Sequence, residues 1–153
     1  MHIDSRQFPQ VPLRIAAGAA LIYHAAPFLF TASGHANFAY MLEQVGLPAP
    51  GATAFMVALL EVAGGLALIV GFATGAVAAL LSFEIATRVL VIGLRGNGFP
   101  EPLPGMPPLP GYELNLQYLA EMIAVMIAGP GLYSWDRAHP AGENPAVGVE
   151  VTQ

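Results

Sequence analysis

Five ionisable side chains stand inside stretches that are otherwise almost wholly apolar: His24, Glu61, Glu84, Arg88 and Glu121. A charge in such surroundings is costly, and by default it marks a function. Glu84 and Arg88 are four residues apart in acid-before-base order, the spacing that pairs them on one helix face. Three carboxylates face one guanidinium and one imidazole. The set therefore balances, even with His24 charged, only if one carboxyl keeps its proton. A shared proton near a histidine suits a proton relay or the head group of a quinone. A divalent ion held by His24 and two carboxylates is the weaker reading, and no metal site is assigned. A bis-histidine haem finds no second ligand, because His2, His35 and His139 lie outside the apolar stretches. The competing reading gives these groups no chemistry and makes them a polar lock that fixes helix packing.

The elements that carry these groups are long apolar helices. The 153 residues are 56% hydrophobic and 10% charged, where soluble domains average about 45–50% and about 25%. Mean hydropathy is +0.62. A spanning helix needs about 20 mostly apolar residues. Four segments qualify, at about 12–32, 53–71, 74–95 and 112–128, the last being the shortest. The second and third come from one run, Ala52 to Leu94, twice too long for one crossing, which folds back at Gly71-Phe72-Ala73-Thr74-Gly75. The fourth stops at Gly129-Pro130-Gly131. The expected fold is all-α, a single domain over 1–153 built as a four-transmembrane-helix bundle. A signal peptide is the lesser alternative for the first segment, whose apolar run exceeds the usual length.

Rise per residue converts sequence position to depth. With alternating helix directions, His24, Glu61 and Glu121 fall roughly 12–14 Å below the outer edge of a core of about 30 Å. Arg88 falls at roughly 9 Å and Glu84 at roughly 15 Å. All four helices thus contribute to one layer. Gln117, Glu121, Ala124 and Ala128 form one stripe, and His24 shares a stripe with Ala17, Ala20 and Phe28. Gly64 and Gly65 follow Glu61 and permit close helix approach. With Gly71 and Gly75 at the turn, they are the expected packing glycines.

Arg6, Arg14 and Arg137 stand at one side and Arg95 at the other, which favours cytoplasmic termini. The loop 96–111 then faces outward. It carries six prolines, Pro100 to Pro110, and is stiff and extended, a rigid connector or a docking surface. The tail 139–153 is expected to be mobile. Five arginines, no lysine and a net charge of −5 argue against nucleic acid. The absence of cysteine removes disulfides, thiolate catalysis, iron–sulfur clusters and thioether-linked haem, so no covalently bound cofactor is expected. No phosphate loop, dinucleotide fingerprint, HExxH or serine elbow occurs.

Four stretches resemble the DoxX family of small four-helix membrane proteins. They are Leu13-Arg14 through His24-Ala25, Leu60-Glu61-Val62-Ala63-Gly64-Gly65 through Gly71-Phe72-Ala73-Thr74, the outer loop leading into Gly111-Tyr112-Glu113-Leu114, and Gly129-Pro130-Gly131-Leu132-Tyr133-Ser134-Trp135-Asp136. The basic residue usual after the turn between helices two and three is absent, since Gly75 and Ala76 follow Thr74. The resemblance implies a multi-pass inner-membrane protein associated with respiratory or redox complexes. Some members resemble a small subunit of quinone-reducing thiosulfate oxidoreductases. Others are linked to thiol and superoxide chemistry, whose thiol part a chain without cysteine cannot perform directly.

The expected function is accordingly an integral membrane subunit of a quinone-linked oxidoreductase complex, with no redox centre of its own. His24, Glu61, Glu84, Arg88 and Glu121 would form a site that contacts quinone or relays protons. Its partners would be the lipid bilayer and other membrane or redox subunits. The alternative is a noncatalytic anchor or assembly subunit, and a transporter without broken helices or inverted repeats comes third.

Overall fold

The computed structural model describes residues 9–94, 101–106 and 111–139. Most of the proline-rich loop, Arg6, Arg95 and the tail from residue 140 lie outside the described residues. Six helices follow in order: α1 Gln10–Phe30, α2 Ala32–Gln44, α3 Pro50–Val70, α4 Thr74–Leu94, α5 Tyr112–Ala128 and α6 Trp135–Ala138. No strand occurs among the described residues. Three helices are long and apolar enough to cross a membrane: α1, α3 and the Thr74–Val91 portion of α4. The 17 residues of α5 reach only about 25 Å at 1.5 Å per residue.

α1, α3, α4 and α5 close a four-membered ring in which α1 packs on α3, α3 on α4, α4 on α5 and α5 back on α1. Leu21 of α1, Leu68 of α3, Leu81 and Ile85 of α4, and Met122 of α5 fill its centre. The closest approach is between α1 and α3. A Cβ built on Gly18 would lie 2.5 Å from the Gly65 carbonyl oxygen, and one on Gly65 would lie 2.6 Å from the Gly18 carbonyl oxygen. The two backbones touch, which only a pair of glycines permits. Gly64 turns the other way, its Cβ position 3.0 Å from Leu81 of α4.

Gly71 is closely packed, a Cβ there falling 2.6 Å from Ser134 Cβ and 2.7 Å from Arg14 Nη1, while Gly75 acts differently. Gly71 ends α3 with φ +76°, its N–H donating to Ala67 O. A glycine meets this left-handed conformation without steric cost. Among the described residues Gly75 packs against nothing, as a Cβ there would meet open space. Its expected packing role is therefore withdrawn; it sits at the start of α4, where the chain has already turned.

α2 is a correction. The first segment ends at Phe30, not 32, because Thr31 is extended (φ −122°, ψ 138°) and caps a new helix, its hydroxyl oxygen accepting from Gly34 N at 3.0 Å. Gly34 lets the chain double back: a Cβ there would fall 2.3 Å from Pro27 O. Phe38, Met41, Leu42 and Val45 follow the 3.6-residue period and are all buried. α2 packs on α1 and α3, and Asn37 Oδ1 accepts from Leu103 N at 2.8 Å while Gln44 Nε2 donates to Glu101 O at 2.8 Å. Residues 101–106 of the proline-rich loop are thereby held on α2.

The other end of the ring is clasped by residues distant in sequence. Arg14 is 2% exposed and donates to the carbonyls of Pro130 and, at 3.1 Å, Tyr133. Asp136 caps α4 from outside, its carboxylate accepting from Ala73 N at 2.6 Å and Thr74 N at 2.7 Å. The Asp136 N–H returns a bond to Gly71 O at 3.0 Å. Burial works against ionisation of Asp136, but the hydrogen bonds from Thr74 and Ala73 and the Arg14 charge outweigh it and hold the carboxyl below its ordinary pKa. A depressed folded pKa means the contribution is complete above the unfolded value of about 3.9 and fades as pH falls through the folded one. Asp136→Ala is expected to cost about 1 kcal/mol at neutral pH. The penalty should shrink in melts run below about pH 4, and a cost independent of pH would remove the carboxylate from this role.

Candidate functional site

Three of the five expected site residues meet. Glu61 of α3 is 4% exposed and accepts a hydrogen bond from Arg88 Nη2 of α4. The same Nη2 donates to Glu84 Oε1 at 2.7 Å and Oε2 at 2.8 Å, and Nε donates to Oε1 at 3.1 Å. The four-residue spacing puts Glu84 and Arg88 on one face of α4. Packing of α3 against α4 brings Glu61 to the other side of the guanidinium. Two carboxylates thus share one cation, and among the described residues every bond runs through Nε and Nη2, leaving Nη1 uncommitted.

His24 and Glu121 do not join this triad. The His24 ring meets Tyr23 edge-on, centroids 5.3 Å apart, and Tyr118 of α5 at 6.0 Å. Glu121 is half-buried, and its hydrogen bond among the described residues is a long one, 3.5 Å, from Gln117 of its own helix. The stripe of Gln117, Ala124 and Ala128 faces outward, not into the bundle. The inward face of α5 is Asn115, Tyr118, Met122 and Val125.

Sequence reasoning misses Tyr118. It is 6% exposed, touches His24, and lies within electrostatic reach of Glu121, Glu61 and Arg88. It is the side chain that stands between the two separated parts of the layer. Its signal is the spacing of Asn115, Tyr118, Met122 and Val125, an inward stripe less conspicuous than the acidic one beside it. Arg14 and Asp136, read from the sequence as charges at membrane ends, prove to be structural partners of the clasp.

A cavity of about 340 Å³ opens beside the triad between α2, α3 and α4. Phe38 and Leu42 line it from α2, Val57 and Leu60 from α3, and Glu84 and Arg88 from α4. Thr53 and Thr87 also line it, but their hydroxyls donate to Pro48 O at 3.0 Å and Phe83 O at 2.8 Å. Among the described residues Glu84 and Arg88 are therefore the charged residues that line it, and the surface they present to it is almost wholly apolar. Phe83, also lining it, is 72% exposed, so one wall of the cavity reaches the outer surface of α4. A volume in this range, mostly apolar with a few convergent polar groups, is that of a small-molecule site. Among the described residues no group of three His, Asp or Glu side chains is placed to hold a metal ion.

Comparison with family models matches residues 10–93 to the model described as DoxX. That stretch runs from the start of α1 through α4 and includes the whole triad. No curated protein and no solved structure matches the chain.

Proposed function

Because the chain belongs to the DoxX family, we propose that it is an integral membrane subunit of a redox complex, and that its cavity takes the head group of a quinone from the bilayer. The observation that carries this reading is the cavity itself. It is apolar, reaches the outer surface of α4 at Phe83, and has Glu84 and Arg88 among its lining residues, with Arg88 Nη1 uncommitted among the described residues. A quinone presents two carbonyl acceptors on an apolar body, and its reduction consumes two electrons and two protons. The electrons would come from a partner subunit. Arg88 Nη1 would donate to a carbonyl and orient the ring. Glu84, also in the wall, would hold and pass a proton, while Glu61 keeps the guanidinium in place from the far side. Tyr118 and His24 extend the polar layer toward α5 and α1.

In this reading α5 is the fourth span, its 17 residues flanked by Tyr112, Tyr133 and Trp135 as interfacial anchors. Both termini are cytoplasmic, by the arginine balance, in the inner membrane. The competing reading, a noncatalytic anchor, rests on the internal satisfaction of the triad, in which acid and base bond one another.

Organic extraction of the detergent-purified protein and assay of the extract for quinone tests the proposal. Quinone is expected near one per chain, falling at least about tenfold in Val57→Trp, which fills the cavity and replaces no member of the triad. Equal quinone in the two proteins at equal thermal stability would sink it.

A further inference from the structure

The outward face of α5 presents a carboxyl and a carboxamide where a spanning helix should be apolar. Gln117 is exposed and Glu121 half-buried beside it, near the middle of the helix. Around them Leu116 and Ile127 are 52% and 78% exposed, and Ala120, Ala124 and Ala128 are exposed at successive helical turns. Among the described residues neither α1 nor α4, the neighbours of α5 in the ring, offers these polar groups a hydrogen-bond partner. In lipid, such groups face inward or pair with one another. This rests on the reading that α5 spans the bilayer.

We propose that this face of α5 is covered by the same face of a second copy of the chain, forming a parallel dimer about a two-fold axis normal to the membrane. A two-fold contact demands a self-complementary patch, and Gln117 with Glu121 is one. A carboxamide carries two N–H donors. One is spent on the chain's own Glu121, at the long distance of 3.5 Å. The other is left for the partner's Glu121, one turn away along a parallel helix, and symmetry makes the bond twice. The alanines at 120, 124 and 128 carry the smallest side chains on the face and admit the second backbone closely. A foreign subunit would instead have to supply its own matching donor, whereas this patch already holds both halves of the pair.

The chain has no cysteine, so single cysteines can report the contact directly. Ala124→Cys in native membranes is expected to give a disulfide-linked dimer on mild oxidation. Leu80→Cys, at similar depth on the exposed side of α4, is expected to stay monomeric. Glu121→Leu in the Ala124→Cys background should fold and lose most of the cross-link, consistent with a roughly tenfold to hundredfold weaker association, while Glu121→Gln should keep it. Cross-linking undiminished by Glu121→Leu, cross-linking at residue 80 instead, or an adduct with a protein of different mass overturns the proposal. Labelling of the Ala124→Cys variant by a membrane-impermeant maleimide overturns it together with the fourth span. An Ala124→Cys protein that neither labels nor cross-links overturns the dimer alone, and none of these outcomes bears on quinone in the cavity.

Discussion

Replacing Arg88 with methionine is expected to destabilise the protein by about 3 kcal/mol, because it leaves the buried Glu61 and the partly buried Glu84 with no cation between them. Glu61 and Glu84 both bond the same guanidinium nitrogen, so one substitution strips both at once. The triple variant Glu61→Leu, Glu84→Leu, Arg88→Met should recover most of that loss, since apolar groups of similar volume replace a buried ion cluster at little cost. Thermal unfolding in mild detergent measures both. The triple variant also separates the two readings of the site. If the triad only locks α3 to α4, the recovered protein assembles and supports electron transfer normally. If Arg88 and Glu84 serve a quinone, it folds but yields no quinone on extraction. An Arg88→Met protein as stable as the parent would show that the cluster contributes little of either kind.

Gly18→Ala and Gly75→Ala add the same single carbon and are expected to act in opposite directions. At position 18 the new methyl would sit 2.5 Å from the Gly65 carbonyl oxygen and 2.9 Å from Ile69 Cγ1. Ile69 can rotate, but the carbonyl belongs to the α3 backbone and yields only if the helices separate. Overpacking of this kind costs about 1–3 kcal/mol, and the upper end is expected because the facing atom is main chain. At position 75 the methyl meets nothing. Alanine should there raise stability by about 0.5–1 kcal/mol through helix propensity. Melting temperatures of the two variants against the parent decide the matter, and a Gly18→Ala protein no less stable than Gly75→Ala would refute the backbone contact.

The long helices are legible because their signal is local. An apolar run of the right length, ended by Gly71 or Gly129, needs no knowledge of neighbours. α5 begins and ends where its apolar segment does, at Tyr112 and Ala128. The pairing of Glu84 with Arg88 is legible for the same reason, being a matter of spacing within one helix. α2 escapes notice although Phe38, Met41, Leu42 and Val45 carry a helical period. Ser33, Gly34 and Asn37 dilute its hydropathy, and a short helix that packs under others need not be apolar all round. The clasp of Arg14 with 130–133, and of Asp136 with the turn at 73–74, joins residues more than sixty apart. Each of these two charges, taken alone, resembles an ordinary one at a membrane edge.

Residue order alone settles which of the long segments are helical and, through the fixed rise per residue, how far along its own helix each charge lies. Height along a helix is linear in residue number and needs no knowledge of the neighbours. Direction around the helix axis is another matter. Tyr118 and Glu121 are three residues apart, differ by only about 60° around α5, and yet one is buried against His24 while the other stands at the outer flank. Which of two such stripes faces inward depends on where the neighbouring helices sit, and their positions follow from contacts such as Gly18 on Gly65 between remote segments. The division of the layer into a triad beside a cavity, a tyrosine–histidine contact, and a carboxyl left facing outward therefore belongs to the packed bundle and to no single helix.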